Sequence, residues 1–340
     1  MIAGPAAAFA ADTAEAIVAL DPDALVADAF VFGSMIAAEA AVLPTAVVLP
    51  SIWMIPARGT PPMGPGFAPA QGALGRGRDA VMVATVNRLF SRGLPALNAA
   101  RAGHGLAPLT SLYDQALAAE RILVLSSPAF DYASASVPGN VRYVGPVLDD
   151  PDWAEPWRSP WPASDTRPLV LVGFSSTYQD QGPVLRRVVQ ALSSLPVRAV
   201  VTVGRMLGGG EVSSTADVRV VPSAPHAPIL AGASLVVSHC GHGTTLKALA
   251  AGVPMVCIPM GRDQNDVAAR VVHHGAGVRL PPRASAARVR RAVERVLATD
   301  RYREGAARMA ATIAAERAQR AEDALVAELE AVADGAARSH

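Results

Sequence analysis

The sequence predicts an α/β protein in two parts, the second a doubly wound parallel sheet and the first a less regular α/β arrangement. Three observations predict it. Short, β-branched apolar runs such as Leu169–Gly173 and Ala233–Ser238 recur, with the length and composition of buried strands. Segments of helical period, at 182–194, 244–251 and 264–273, separate them, and that alternation builds a parallel sheet with helices on both faces. Finally, five prolines and three tryptophans interrupt the pattern between 148 and 168. They divide the chain into 1–147, an extended linker 148–168, and 169–333, with the tryptophans expected in the cleft between the domains.

In the first part, a helix near 8–20 leads to a strand at 24–27 and Asp28. A helix near 33–43, a strand at 45–49, a Pro/Gly-rich loop at 56–77, a helix near 80–102 and a strand at 121–126 follow. Loops at strand ends are where a small-molecule pocket is built. Trp53, Met54, Met63 and Phe67 are candidates to line it, although each serves equally as ordinary loop packing. In the second part, strands are expected at 169–173, 197–203, 217–221, 234–238 and 254–258. Two long Ala/Arg helices near 284–298 and 302–331 close the chain, their charged faces read as solvated surface.

With 340 residues, 51% of them hydrophobic, the chain can bury two cores. Thirty basic against 29 acidic residues leave no global field for nucleic acid or an anionic membrane. The opening apolar stretch is short and lacks a basic flank, and prolines at 44, 50 and 56 break the apolar run at 41–56. A cytoplasmic protein is expected. Cys240 and Cys257 have no metal-like spacing and read as buried thiols in a reducing compartment. Asp21-Pro22-Asp23 and Asp150-Pro151-Asp152 read as proline turns, so no metal site is expected.

The chemistry concentrates in Ser238-His239-Cys240-Gly241-His242-Gly243-Thr244-Thr245. A strand ends at Ser238, a turn spans 239–243, and a helix over 244–251 stops at Gly252. Gly241 and Gly243 are expected to adopt backbone conformations closed to other residues and to let a ligand approach the main chain. The unpaired N–H groups of the new helix, with the positive end of its dipole, suit a diphosphate. Thr244, Thr245 and His239 add donors. The same glycine pair would also serve an ordinary tight turn. Asp263 and Gln264 follow the next strand, where a sugar bonded to that phosphate would lie.

The longer pattern decides between them. Pro225-His226-Ala227-Pro228-Ile229-Leu230, the run from Ser238 through Asp263-Gln264-Asn265-Asp266, and His274-Gly275-Ala276-Gly277 resemble the C-terminal signature of the family 1 glycosyltransferases. The likeness is nearest to the bacterial enzymes that decorate natural products. It implies the GT-B fold, two Rossmann-like domains facing a cleft, with the N-terminal one incomplete here. It implies that His239, Gly241, Gly243, Thr244 and Thr245 hold the donor diphosphate, that Asp263 and Gln264 bind its sugar, and that base and ribose lie beside Ala224 and His226. Ser175 and Ser176 match the family's second phosphate loop. Three positions depart from the pattern. Ser223 stands where an aromatic often stacks on the base. Lys247 replaces the plant members' ribose-binding Glu, and His242-Gly243 replace their Trp-Asn.

The segment ending in Asp28 is similar to the family strand whose Asp orients a catalytic histidine. From spacing alone Asp28 would be a helix cap. The histidine itself has no counterpart, the first being His104 in a segment the family uses elsewhere; the chain would begin roughly 60–100 residues late at about 30 residues per βα unit. Two readings stay open. In one, this is an inverting glycosyltransferase moving a sugar from a UDP or dTDP donor to a hydroxyl of a hydrophobic small molecule, without a cofactor. In the other, it is a donor-binding auxiliary protein or half of a split enzyme. The partners expected are the nucleotide sugar, the acceptor, and either a second copy or a separate N-terminal half. An epimerase of the same fold would need acid/base carboxylates near the sugar, and none is apparent.

Overall fold

The computed structural model describes residues 4–57, 59–132, 137–150, 156–174, 179–204, 212–320 and 324–337. The chain forms two compact units. Unit 1 is Met1–Met63, Pro69–Gly145 and Glu316–His340; unit 2 is Gly64–Ala68 and Pro146–Ala315.

Unit 1 runs α1 (Ala6–Leu20), β1 (Leu25–Asp28), α2 (Phe32–Ala40), β2 (Thr45–Leu49), α3 (Gly72–Phe90), α4 (Leu94–Gly103), α5 (Tyr113–Leu117), β3 (Arg121–Val124) and β4 (Val141–Tyr143). Its four strands are parallel in the order β1-β2-β3-β4. The expected single helix near 80–102 is two, because the chain tightens into a 3-10 turn at Ser91–Gly93 before Pro95 opens α4. Gly33 of α2 lies against α1, where an added Cβ would run into the Ala6 carbonyl oxygen. Arg101 of α4 ties Glu39 of α2 to Gln115 of α5.

Unit 2 continues with β5 (Leu169–Gly173), α6 (Gly182–Leu192), β6 (Arg198–Thr202), β7 (Val218–Val221), α7 (His226–Leu230), β8 (Ala233–Ser238), α8 (His242–Ala250), β9 (Met255–Cys257), α9 (Gln264–His273), β10 (Gly277–Arg279), α10 (Ala286–Ala298) and α11 (Asp300–Gln319). Its sheet is parallel in the order β10-β9-β8-β5-β6-β7. All five residues of β5 are buried, as a central strand covered on both faces requires. The short elements α5, α7, β4 and β10 carry too little periodicity to be read from sequence, whereas Gly252, at φ +70°, ends α8 as expected. Among the linker tryptophans, Trp161 lies 6.0 Å beneath the Arg198 guanidinium, within unit 2.

The C-terminal helix differs from expectation. Instead of one long helix near 302–331 there are α11 and α12 (Ala324–Ala337), and α12 belongs to unit 1. Val332 packs with Ala46 and Leu123 on the unit 1 sheet, and Glu328 accepts from Arg121 at 3.0 Å. Its apolar stripe is therefore buried against a sheet that precedes it by some two hundred residues, a pairing local pattern cannot reveal. Among the described residues no helix is long and apolar enough to cross a membrane.

Candidate functional site

The strand order of unit 2 reverses between β5 and β8. β5 is followed outward by β6 and β7 on one side, while β8, β9 and β10 extend the other. Loops leaving the carboxyl ends of two such strands diverge and open a crevice. Register places those ends in one row, with Gly173 opposite both Ser238 and Thr202, and Ser238 opposite Cys257. Phe174 and His239, the next residues of β5 and β8, therefore meet, their rings 5.8 Å apart.

The turn after β8 corrects one expectation. The left-handed residue is Cys240, at φ +65°, and Gly241 has an ordinary φ of −58°. The Cys240 amide donates to Ser238 Oγ at 3.1 Å, which offsets part of the strain. Gly241 is needed for space instead: an alanine Cβ there would lie 2.6 Å from His239 Nε2. The imidazole thus rests directly on the N-cap of α8. Its Nδ1 is 3.4 Å from both the Gly173 carbonyl oxygen and Ser238 Oγ. Burial depresses the His239 pKa, against smaller opposing effects of the Gly173 carbonyl and Asp263, so the free ring is neutral near pH 7. Gly241→Ala is expected to push the ring off the helix end and lower affinity for a nucleoside diphosphate about 10-fold, with little change in the melting temperature. Titration calorimetry beside thermal unfolding checks both.

Helix α8 begins at His242, two residues earlier than its sequence suggests. Gly243 accordingly lies in the first turn, exposed, with open space where a side chain would stand. The N-cap Gly241 offers no side-chain acceptor to that turn, whose N–H groups face the crevice beside His239. Thr244 packs near Gly173, and His226 approaches the same point from α7, with Nε2 3.5 Å from Thr202 Oγ1. Thr245 does not join them. It is fully buried and its hydroxyl donates to the Gly241 carbonyl at 3.0 Å, so it braces the turn. Ala224 is half-buried in the loop before α7; Ser175 and Ser176 lie outside the described residues.

Asp263 is the N-cap residue of α9, half-buried and close enough to His239 to act on its charge. Gln264 is 2% exposed, and its amide is engaged at both ends: Oε1 accepts the Met260 N–H at 2.8 Å and Nε2 donates to Gln179 at 2.9 Å. In this conformation it braces the loop that presents Asp263.

Two features of this site were missed from sequence. The first is a strap, Gly64-Pro65-Gly66, seated on α9. Gly64 and Gly66 donate their N–H groups to the buried Asp266 carboxylate at 2.6 and 3.0 Å. Arg279 donates to Gly66 O and to Asn265 Oδ1. Gly66 has φ +68°, and a Cβ there would meet the Asn265 carbonyl. The Pro/Gly-rich loop at 56–77 was legible, but its partner 200 residues away was not. The second concerns Lys247, whose ammonium donates to Asp150 Oδ1 at 2.6 Å and to the Asp149 carbonyl at 2.7 Å. Asp150 Oδ2 accepts the Ala227 N–H at 2.8 Å. Burial would raise the Asp150 pKa, but hydrogen bonds from Lys247 and the α7 backbone outweigh it and hold the group ionised. The lysine that breaks the expected Glu pattern therefore carries a carboxylate to the foot of α7.

Comparison with known proteins gives this geometry a family. Residues 186–330 match the family described as Erythromycin biosynthesis protein CIII-like, C-terminal domain. Over 295 residues the chain is 33% identical to 4'-demethylrebeccamycin synthase of Lentzea aerocolonigenes, covering 84% of this chain and 69% of that one. The chain belongs to the natural-product family 1 glycosyltransferases. A second family 1 relative, the demethyllactenocin mycarosyltransferase of Streptomyces fradiae, is 30% identical over 182 residues, 53% of this chain and 39% of that one. Solved structures share the GT-B fold. The kitacinnamycin glycosyltransferase superposes with a TM-score of 0.72 at 22% identity, over 91% of this chain and 76% of that one. The calicheamicin glycosyltransferase CalG4 does so at 0.69 and 23%, over 94% and 77%.

Unit 1, taken by itself, holds the residue expected to orient a catalytic base. Asp28 ends β1 exposed, and its Oδ1 accepts the Phe30 N–H at 2.9 Å. That is a local turn and not the helix cap the spacing alone suggested, since the N-cap of α2 is Val31 with no side-chain cap bond, and no histidine bonds to Asp28 among the described residues. His104 closes α4, its N–H donating to the Arg101 carbonyl, and His273 and His274 end α9 edge to face. Beside Asp28, however, unit 1 opens a carbon-walled cavity lined in part by Phe30, Trp53, Met54, Met63, Phe90 and Tyr113. Three of the four residues anticipated for a pocket stand on its wall; Phe67 falls in unit 2 and does not.

Proposed function

We propose that the chain transfers a sugar from UDP or dTDP to a hydroxyl of a hydrophobic small molecule, with inversion. The observation that carries this is the convergence of His239, the first turn of α8 and Asp263 at the β5/β8 crevice. A diphosphate on the α8 N-terminus would meet backbone N–H groups, the helix dipole and the imidazole together, with Asp263 close enough to that imidazole to act on its charge. These groups take the charge that develops as the glycosidic bond to phosphate breaks, so the proposed reaction calls for no cofactor beyond its nucleotide sugar. The transition state is expected to resemble an oxocarbenium ion. His226, Ala224 and the Lys247–Asp150 pair border the place for ribose and base. The unit 1 cavity would receive the acceptor, and the buried thiols suit work in the cytoplasm. The dTDP complex of the glycosyltransferase VinC, of the same fold at TM-score 0.65, lends the choice of nucleotide general support.

Asp263→Ala is expected to weaken binding of the sugar nucleotide about 10-fold while leaving the bare nucleotide nearly unaffected. Calorimetric titration with UDP, dTDP and their glucose conjugates reads the difference, and equal losses would move Asp263 out of the sugar site. The engagement of Asp28 with Phe30 favours a second reading, in which the chain binds donor and another polypeptide supplies the base. Tight donor binding without sugar transfer to any phenolic acceptor would select it.

A further inference from the structure

Asp263 stands at the end of a loop that does not hold itself. Arg262, just before it, takes φ +56°, the left-handed region that a residue with a side chain enters only when its surroundings keep it there. Asp263 is the N-cap of α9, yet its side chain makes no cap bond to that helix. Gln264 ties the loop to Met260 and Gln179. A second tie is the strap, Gly64-Pro65-Gly66, which belongs to unit 2 together with α9.

The strap is fixed to the first turn of α9 in three ways. The Asp266 carboxylate, 4% exposed, takes the N–H groups of Gly64 and Gly66 on separate oxygens. Arg279, reaching from β10, joins the Gly66 carbonyl oxygen at 3.2 Å to Asn265 Oδ1 at 2.6 Å. The two backbones also lie in contact, since a Cβ on Gly66 would run into the Asn265 carbonyl. Burial raises the Asp266 pKa, and the N–H groups of Gly64 and Gly66 lead the effects that favour its ionised form. A carboxylate in the first turn of a helix can answer that helix's own N-terminus. This one gives both oxygens to a segment 200 residues away.

We infer that Asp266 is a positioning residue for the donor sugar: by clamping Gly64-Pro65-Gly66 onto the first turn of α9, it fixes the place from which Asp263 meets the sugar's hydroxyls. This rests on the proposed reading of Asp263 as a sugar ligand. Coupling of this kind is reciprocal. If the strap holds Asp263 for the sugar, a bound sugar holds the strap in return, and a bare nucleotide does not.

The test uses the whole chain with UDP and dTDP and their glucose conjugates. In the wild type, amide hydrogen exchange of the peptide covering 59–68 is expected to slow about 10-fold with the tighter-binding sugar nucleotide and to stay unchanged with the bare nucleotide. Gly66→Ala lifts the strap by collision, and Asp266→Asn sets a donor against one of its N–H groups. Each is expected to weaken the sugar nucleotide about 10-fold in calorimetric titration, with the bare nucleotide changed less than about 2-fold. Arg279→Met loosens the strap through an exposed side chain, with an expected loss of about 5-fold; should either of the other variants fail to fold, it decides alone. A variant that merely loosened the protein would lose both ligands alike. Equal losses, no loss, or exchange at 59–68 that ignores the sugar overturns the assignment. Asp263→Ala in the same series separates the failures. If it distinguishes sugar nucleotide from nucleotide and the strap variants do not, this inference falls alone. If it makes no distinction, the reading of Asp263 falls and this inference falls with it.

Discussion

Replacing His239 with alanine is expected to lower affinity for UDP and dTDP by about 10- to 100-fold, the worth of one hydrogen bond to a charged group. The fold should survive. The ring's polar contacts to the protein are long, 3.4 Å from the Gly173 carbonyl and from Ser238 Oγ. Calorimetric titration at pH 7 measures the loss, and near-wild-type affinity would remove His239 from the phosphate site. A pH series sharpens the result. Burial holds the free imidazole below its ordinary pKa of 6.5, so it is neutral above that value. A bound diphosphate favours the imidazolium and raises the pKa of the complex. Binding then takes up protons, and affinity climbs as pH falls from 8 towards 6. The nucleotide's own phosphate also titrates near pH 6. The signature of His239 is therefore the part of the slope present in the wild type and absent from the alanine variant.

The second large effect is on stability. Arg101, 3% exposed, donates to both carboxylate oxygens of Glu39 at 2.6 and 2.8 Å, to Gln115 Oε1 at 2.7 Å and to the Ala107 carbonyl at 2.7 Å. Arg101→Met would leave those acceptors facing a thioether across three helices. Breaking a buried pair costs about 3–5 kcal/mol, and the partial exposure of Glu39 places this one near about 3. Urea denaturation should show a lower midpoint for the transition of unit 1. The sign of its pH dependence is fixed. The hydrogen bond from Arg101 leads the effects that hold Glu39 below 4.5. Its ionic stabilisation is present in full above that value and is lost as pH falls through the depressed folded pKa. The gap between wild type and variant should therefore narrow only below pH 4.5.

The same residues show where sequence stops being informative. β5, β8 and α9 were legible because strand and helix periods are local, and the run from Ser238 to Asp266 was legible because a tight strand-to-helix turn needs particular residues at fixed spacing. The roles within it were not. Gly241 was read as a conformational need and is a steric one, since only packing sets the imidazole against its Cα. Thr245 and Gln264 read as ligand contacts from sequence, and the structure adds that each also hydrogen-bonds the protein. The seating of Gly64-Pro65-Gly66 on Asp266, the pairing of Lys247 with Asp150 and the return of α12 to the first sheet all join segments about a hundred to two hundred residues apart.

By itself, then, the sequence determined the α/β class, the parallel order of alternating elements, the place of the strand-turn-helix at β8 and α8, and the family. Each is encoded over stretches of fewer than about 30 residues, the size of one βα unit. Tertiary structure alone decided which polar side chains remain free to meet a ligand and which are spent holding the loops. Those outcomes depend on what each group packs against, and the neighbours are supplied by distant parts of the chain.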